Sequence, residues 1–214
     1  MNDEPARSTI LGVILAGGQS RRMSGADKAL MTLDGRMLLA HVRDRLEPQV
    51  ARLVLSANGD TERFAPFGMP VQPDTVPGHA GPLAGILAGM RWAQENAPDL
   101  RFVATAATDT PFFPADYVAR LAEASALAAD TIAIAATNGR RHPVFGLWPV
   151  SIADGLQTFL VSGETRRVTR FIEQHRCVEI DFGHREGPDP FFNINTPDDL
   201  ETAERHAAAS ASTR

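Results

Sequence analysis

Short runs of apolar residues, rich in β-branched side chains and closed by glycine or polar residues, recur along the chain with room for a helix between one run and the next. The first is TILGVILAG, residues 9–17. A run that is apolar at every position fits a strand buried on both faces, as in a parallel sheet. Further runs fall at 52–57, 100–106, 131–136, 144–148 and 177–181, with a short strand around Val71. Between them the apolar positions change to helical spacing, at 37–46, 81–95, 114–128 (with Pro114 at the first turn), 151–160, 166–175 and 197–206. Strands alternating with helices predict an α/β chain with a mostly parallel sheet covered on both faces, a three-layer α/β/α sandwich. No linker or repeat breaks the pattern. One domain over 9–206 is expected, with residues 1–8 and 207–214 as flexible termini.

Composition narrows the class of ligand. The 214 residues suffice for a substantial core, and 43% hydrophobic with 22% charged residues is ordinary for a globular protein. A formal net charge of −5 offers no basic field for nucleic acid or a membrane surface, so an anionic ligand has to be held by local groups. Cys177 is the only cysteine, which excludes an intrachain disulfide and a cysteine-rich zinc site. No apolar span approaches the ~18 residues of a membrane helix. The opening MNDEPARS is charged rather than signal-like, and a cytoplasmic location is expected.

The local groups come directly after the first strand, in LAGGQSRRMSGADKAL, residues 15–30. Glycines let backbone N–H groups approach a phosphate, and Arg22 and Lys28 supply charge. The stretch fails the G-x-x-x-x-G-K-[ST] loop, because Ala26 and Asp27 separate Gly25 from Lys28. It also fails G-x-G-x-x-G, because Gly17 and Gly18 are adjacent. It resembles instead the L-A-G-G-x-S-x-R-M-G-x-D-K signature of nucleotidyltransferases, specifically the molybdenum cofactor guanylyltransferases. Further motifs follow in the expected order: LSAN (55–58), PDTVPGHAGPLAGI (73–86), TDTPFFP (108–114), RRHPVFGL (140–147), SGETRRV (162–168) and FNINTPDDL (192–200). One departure is Ser24 where that family has glycine.

That resemblance implies a Rossmann-like fold of the nucleotide-diphospho-sugar transferase type. It also implies transfer of GMP from GTP to the phosphate of Mo-molybdopterin, with pyrophosphate leaving. In such an in-line transfer, positioning and electrostatics supply most of the catalysis. Lys28 falls on the nucleotide by resemblance, and the role of neutralising the leaving group extends to Arg22. In an empty site Lys28 is expected to be an exposed cation. Asp109 lies just past a buried strand. A carboxylate among phosphates calls for a cation between them, so Asp109 is the expected Mg²⁺ ligand. By spacing alone it fits equally an aspartate opening a turn before Pro111.

The nucleotide set implied by the resemblance is Leu15, Ala16, Gly17, Lys28, Asn58, Asp74, Gly81 and Asp109. Asn58, in ANGD, also fits a turn. Gly81, Gly85 and Gly89 recur every four residues and suit close packing on the sheet, with Gly81 at the helix start facing the site. For the pterin, the resemblance implies Arg166, Arg167, Asn193 and Asn195. FNIN would point both asparagines the same way if extended, yet Thr196-Pro197-Asp198-Asp199 also reads as an ordinary helix start. His142 reads as a structural or rim residue rather than a base. Handover of the product to molybdoenzymes or their chaperones is expected. The rival readings are a CTP-dependent enzyme (whose signature carries L-A-A-G), a sugar-phosphate nucleotidyltransferase, and a GTP-binding carrier without chemistry.

Overall fold

The computed structural model describes residues 7–16, 28–76, 81–125, 130–163, 165–183 and 189–211. Its centre is a seven-stranded sheet built from β1 (Ile10–Leu15), β4 (Arg52–Ser56), β5 (Val71–Gln72), β6 (Phe102–Ala107), β7 (Ile132–Thr137), β8 (Arg140–Pro149) and β9 (Cys177–Asp181), in the order β5-β4-β1-β6-β8-β7-β9. Neighbours are parallel except around β8, which runs antiparallel to both β6 and β7. A separate two-stranded hairpin, β2 (Thr32–Leu33) and β3 (Arg36–Met37), turns at Asp34 and Gly35.

The apolar runs form strands because each side chain finds a helix on its own face. On β1, Leu11, Val13 and Leu15 pack into the core covered by α2 (Pro82–Asn96), α4 (Ala153–Ser162) and α5 (Val168–Ile172). Ile10 and Ile14 enter the opposite core, under α1 (Leu38–Leu46) and α3 (Tyr117–Ser125). A third, smaller cluster joins Leu33 and Leu38 to Ile194 and Ala203, the last on α6 (Pro197–Ala211). That contact brings the C-terminal segment back against the β2–β3 hairpin and the first turn of α1. No described helix is long and apolar enough to cross a membrane.

The expected α/β sandwich is present, with a difference at β8. The run expected at 144–148 is the second half of a ten-residue strand that begins at Arg140. It pairs as a hairpin with β7 through Asn138 and Gly139, at φ 48° and 80°. Both residues take the left-handed conformation that a two-residue hairpin turn requires. The hairpin is also irregular. Ala135 opposes His142 while its neighbour Ile134 opposes Gly146, so three extra residues bulge out of β8. Pro143, which cannot donate to a ladder, lies inside that bulge.

Candidate active site

Parallel sheets bind ligands beyond the carboxyl ends of their strands, where neighbouring connections diverge. Here the chain passes from β1 towards β4 on one side and β6 on the other, and a cleft of about 780 Å³ opens at that edge. Its size suits a nucleotide-sized ligand. The strand ends are tied together: Ala16 N donates to Ser56 O (2.9 Å) and Thr108 N to Leu15 O (3.2 Å).

Leu15, Ala16, Lys28, Asn58, Asp74, Gly81, Asp109 and Asn193 all line this cleft, so the fold gathers most of the residues singled out in the sequence. Gly17 and Arg22 lie outside the described residues. Arg166 and Arg167 are exposed and form no part of the cleft wall. Asn195 reaches the site through Lys28.

Asp109 follows β6 and is held in place by backbone: Ile194 N donates to its carbonyl at 2.8 Å. Its carboxylate lies 3.5 Å from the Lys28 ammonium, and the two side chains are only 21% and 20% exposed. Lys28 Nζ also donates to Asn195 Oδ1 at 2.6 Å. The expectation of an exposed Lys28 is therefore corrected: the cation is largely buried between two acceptors. Burial raises the pKa of Asp109, while Lys28 and the Thr110 hydroxyl pull it back down.

Across the cleft, Asn58 and Asp74 bond reciprocally. Asn58 Nδ2 donates to Asp74 Oδ2 (2.7 Å) and Asp74 N donates to Asn58 Oδ1 (2.9 Å). Arg63 donates to the Asn58 carbonyl at 2.9 Å, fixing the turn. Gly85 serves packing: a Cβ there would lie 2.5 Å from Ser56 Oγ and 2.6 Å from Leu15 Cδ2. A Cβ on Gly89 would collide with Val13. Gly81, at the N-terminus of α2, meets nothing and fronts the cleft.

The far wall is the bulged start of β8. Arg140, Arg141, His142 and Phe145 line it, with Phe191 from the C-terminal segment. His142 is buried, shares a hydrogen bond between Nε2 and Thr137 Oγ1 (2.7 Å), and stacks on Phe191 at 4.7 Å. Burial lowers its pKa, Asp189 opposes the shift and Arg140 adds to it, so the ring is neutral at pH 7. Its reading as a structural residue of the rim fits this geometry. Sequence reasoning gave Arg140 and Arg141 no role. The signal was present in Asn138-Gly139 before RRHP, a hairpin turn followed by a proline-marked bulge, which re-aims side chains out of the ladder.

A cleft of this size at the β1 and β6 ends, with Lys28 and Asp109 on one side and Arg140 and Arg141 on β8, can hold a phosphorylated ligand, and the fold is that of the α/β nucleotidyltransferases. Comparison with known proteins narrows the class. The chain belongs to the family described as the MobA-like NTP transferase domain, whose pattern matches residues 12–178. A relative from Mesorhizobium japonicum named molybdenum cofactor guanylyltransferase is 53% identical over 201 residues, covering 93% of this chain and 96% of that protein. One of the same name from a Bradyrhizobium species is 50% identical over 202 residues, 94% of each chain. Among solved structures, molybdopterin-guanine dinucleotide biosynthesis protein A from Archaeoglobus fulgidus superposes with a TM-score of 0.73 at 24% identity, covering 93% of this chain and 99% of that one. That likeness shows a shared fold.

Proposed function

We propose that the chain transfers GMP from GTP to the phosphate of Mo-molybdopterin, releasing pyrophosphate. The observation that carries the reading is the meeting of Lys28 and Asp109 in one cleft with the Asn58–Asp74 pair. Near-full-length relatives named guanylyltransferases support it. An oxygen of the pterin phosphate forms the new bond to the α-phosphorus as the bond to the bridging oxygen of the β-phosphate breaks. The acceptor is itself the nucleophile, so no nucleophilic side chain is required. Lys28 offsets the charge that grows on the leaving pyrophosphate, and Arg22 is assigned the same task.

Guanine presents N1–H and N2–H₂ side by side, which suits a carboxylate such as Asp74 that Asn58 holds in place. Leu15, Ala16, Gly17 and Gly81 complete the proposed nucleotide set. The donor set at Asp109 fits Mg²⁺, which binds through one or two carboxylates together with substrate phosphates rather than in an all-protein cage. Among the described residues no group of three or more His, Cys, Asp or Glu forms such a cage. When bound there, the cation supplies charge neutralisation between Asp109 and the triphosphate. For the pterin, Asn193 lies on the cleft wall, with Asn195, Arg166 and Arg167 assigned by resemblance. Arg140 adds a cation for the acceptor phosphate. The reading carries with it a cytoplasmic location and handover of the product to molybdoenzymes or their chaperones.

The test supplies labelled GTP, CTP or ATP with Mg²⁺ and Mo-molybdopterin and counts pyrophosphate. Transfer from GTP above the others is expected. Preference for CTP, or GTP binding without turnover, would replace this reading with the cytidylyl or carrier alternative. Asp109→Asn should lower kcat by ~10²-fold or more while GTP affinity falls less. Near wild-type turnover of that variant at limiting Mg²⁺ would remove Asp109 from the mechanism.

A further inference from the structure

Lys28 is the only lysine in the chain; the other 20 of its 21 basic residues are arginines. Its ammonium ends a flexible four-carbon stem, and such a stem loses rotamer freedom whenever it is brought to a phosphate. In this fold the loss is met in advance by a segment 167 residues away, because Asn195 Oδ1 accepts Lys28 Nζ at 2.6 Å. What holds Asn195 is therefore part of what places Lys28.

Two anchors hold it. On one side Ile194 is buried in the small cluster with Leu33, Leu38 and Ala203, and its N–H bonds the Asp109 carbonyl at 2.8 Å. On the other side a single oxygen of Asp199, Oδ2, accepts the backbone N–H of both Asn195 and Thr196, each at 2.9 Å. Thr196 Oγ1 accepts Asp199 N at 3.2 Å, closing a capping box at the start of α6. A cap requires only the reciprocal pair between Thr196 and Asp199. The bond to Asn195 N is additional, and it orients the residue that grips the ammonium.

We propose that Asp199 is a positioning residue for Lys28: by holding the backbone of Asn195 it fixes the amide that pre-aims the ammonium at the phosphates of the nucleotide. The backbone N–H groups on Asp199, with a smaller contribution from Lys28 itself, keep its carboxyl below the usual carboxylate range. The anchor therefore stays charged and accepting at neutral pH. Pre-aimed charge is the form in which electrostatic groups contribute most to a transfer, since nothing has to reorganise as the leaving group departs. The proposal rests on the guanylyl-transfer reading for its kinetic arm only.

The experiment compares Asp199→Ala with Thr196→Ala, which breaks the cap but leaves the bond from Asn195 to Asp199. Asp199→Ala should lower kcat/KM for GTP roughly 3–10-fold, mostly through kcat, as expected for partial loss of a charge-assisted contact. Thr196→Ala should stay within about two-fold despite a comparable drop in unfolding midpoint. In a Lys28→Ala background, Asp199→Ala should have no further effect on kcat/KM. The arm without activity uses protein labelled with ¹⁵N only in lysine, which gives a single Nζ signal. That signal should move towards the position of free lysine in Asp199→Ala and not in Thr196→Ala. If Asp199→Ala does not fold, Asp199→Asn keeps an acceptor oxygen and should move the signal less, in the same direction. Equal kinetic losses in Asp199→Ala and Thr196→Ala, an undiminished effect without Lys28, or an unmoved lysine signal would each overturn the proposal. A wild-type protein that shows no transfer while the signal moves would overturn the functional reading and leave the positioning role standing.

Discussion

At the scale of single residues, the pairing of Lys28 with Asp109 alters what removing either one does. Without Lys28, Asp109 keeps its burial and loses the positive charge that draws its pKa back down. Deleting only the cation leaves the burial of the carboxylate uncompensated, which costs more than deleting both partners. Lys28→Ala should therefore lower the unfolding midpoint of the ligand-free protein, and the Lys28→Ala/Asp109→Asn double variant should recover most of the loss. Thermal melts of the three proteins check this, and a double variant no more stable than Lys28→Ala would exclude the pair as the cause. The pH dependence follows from the same group. Burial leaves the pKa of Asp109 raised in the folded chain, so the native state holds its proton more readily than the unfolded one. The stability associated with that proton is fully present below the unfolded pKa and is lost as pH rises through the native pKa. Asp109→Asn should thus be more stable than wild type at pH 7, with the gap closing as pH falls through the carboxylate range. Urea titrations at both pH values measure it, and a gap that does not change with pH would contradict the assignment.

At the scale of elements, the bulge in β8 exposes backbone groups that a regular ladder would pair, and Thr105 on β6 takes them up. Its hydroxyl donates to the Val144 carbonyl at 2.6 Å and lies 3.3 Å from both the N–H and the carbonyl oxygen of Gly146. Trp148 Nε1 also donates to it at 3.1 Å, and the Tyr117 hydroxyl donates to the Thr105 carbonyl at 2.8 Å. One hydroxyl thereby keeps a distorted strand attached to the sheet, and the distortion puts Arg140 and His142 on the cleft. Thr105→Val keeps the shape and removes both the donor to Val144 and the acceptor for Gly146 and Trp148. It should destabilise the protein by about 1–3 kcal/mol, the cost of leaving buried polar groups unpaired. A urea titration that places Thr105→Val within about 0.5 kcal/mol of wild type would mean that the bulge holds without it. None of this was legible in ATAATD, where Thr105 reads as one more small residue in a buried run. The antiparallel direction of β8 was legible in principle. Asn138-Gly139 between two apolar runs is a hairpin signal, but the alternation of strands and helices elsewhere favours a parallel sheet and outweighed it. Gly89 shows the opposite case. Its spacing from Gly81 and Gly85 announced close packing, and Val13 lies where its Cβ would go.

At the scale of the whole molecule, the layered sheet and the gathering of Leu15, Ala16, Asn58, Asp74 and Asp109 at one edge of it could be read from the chain, because each depends on local order. Apolar runs set the strands, and motifs at strand ends land at the carboxyl edge of a parallel sheet wherever the helices cover both faces. What could not be read were contacts between segments far apart in sequence, such as Lys28 with Asn195, which depend on how α6 folds back against the hairpin. The molecule should respond to ligand through the charges that this closure leaves in its cleft. Its net charge is −5, and the cleft carries a carboxylate where a triphosphate would approach. Lys28 already compensates that carboxylate, so it cannot compensate the phosphates at no cost. On the proposed reading a divalent cation between Asp109 and the triphosphate would free Lys28 for the nucleotide, so binding should depend steeply on metal. With Mg²⁺ and GTP at a hundred-fold excess over Kd, the free-energy gain of about 2.7 kcal/mol should raise the unfolding midpoint by roughly 5–11 °C. With EDTA in place of Mg²⁺ the shift in the wild type should be small. In Asp109→Asn the repulsive carboxylate is gone, and the GTP shift should become nearly independent of metal. Thermal melts of both proteins with GTP, with and without Mg²⁺, decide the point. An equal GTP shift in wild type with and without metal would mean that Lys28 and the rest of the cleft hold the triphosphate alone, and that Asp109 does not mediate between the protein and its nucleotide.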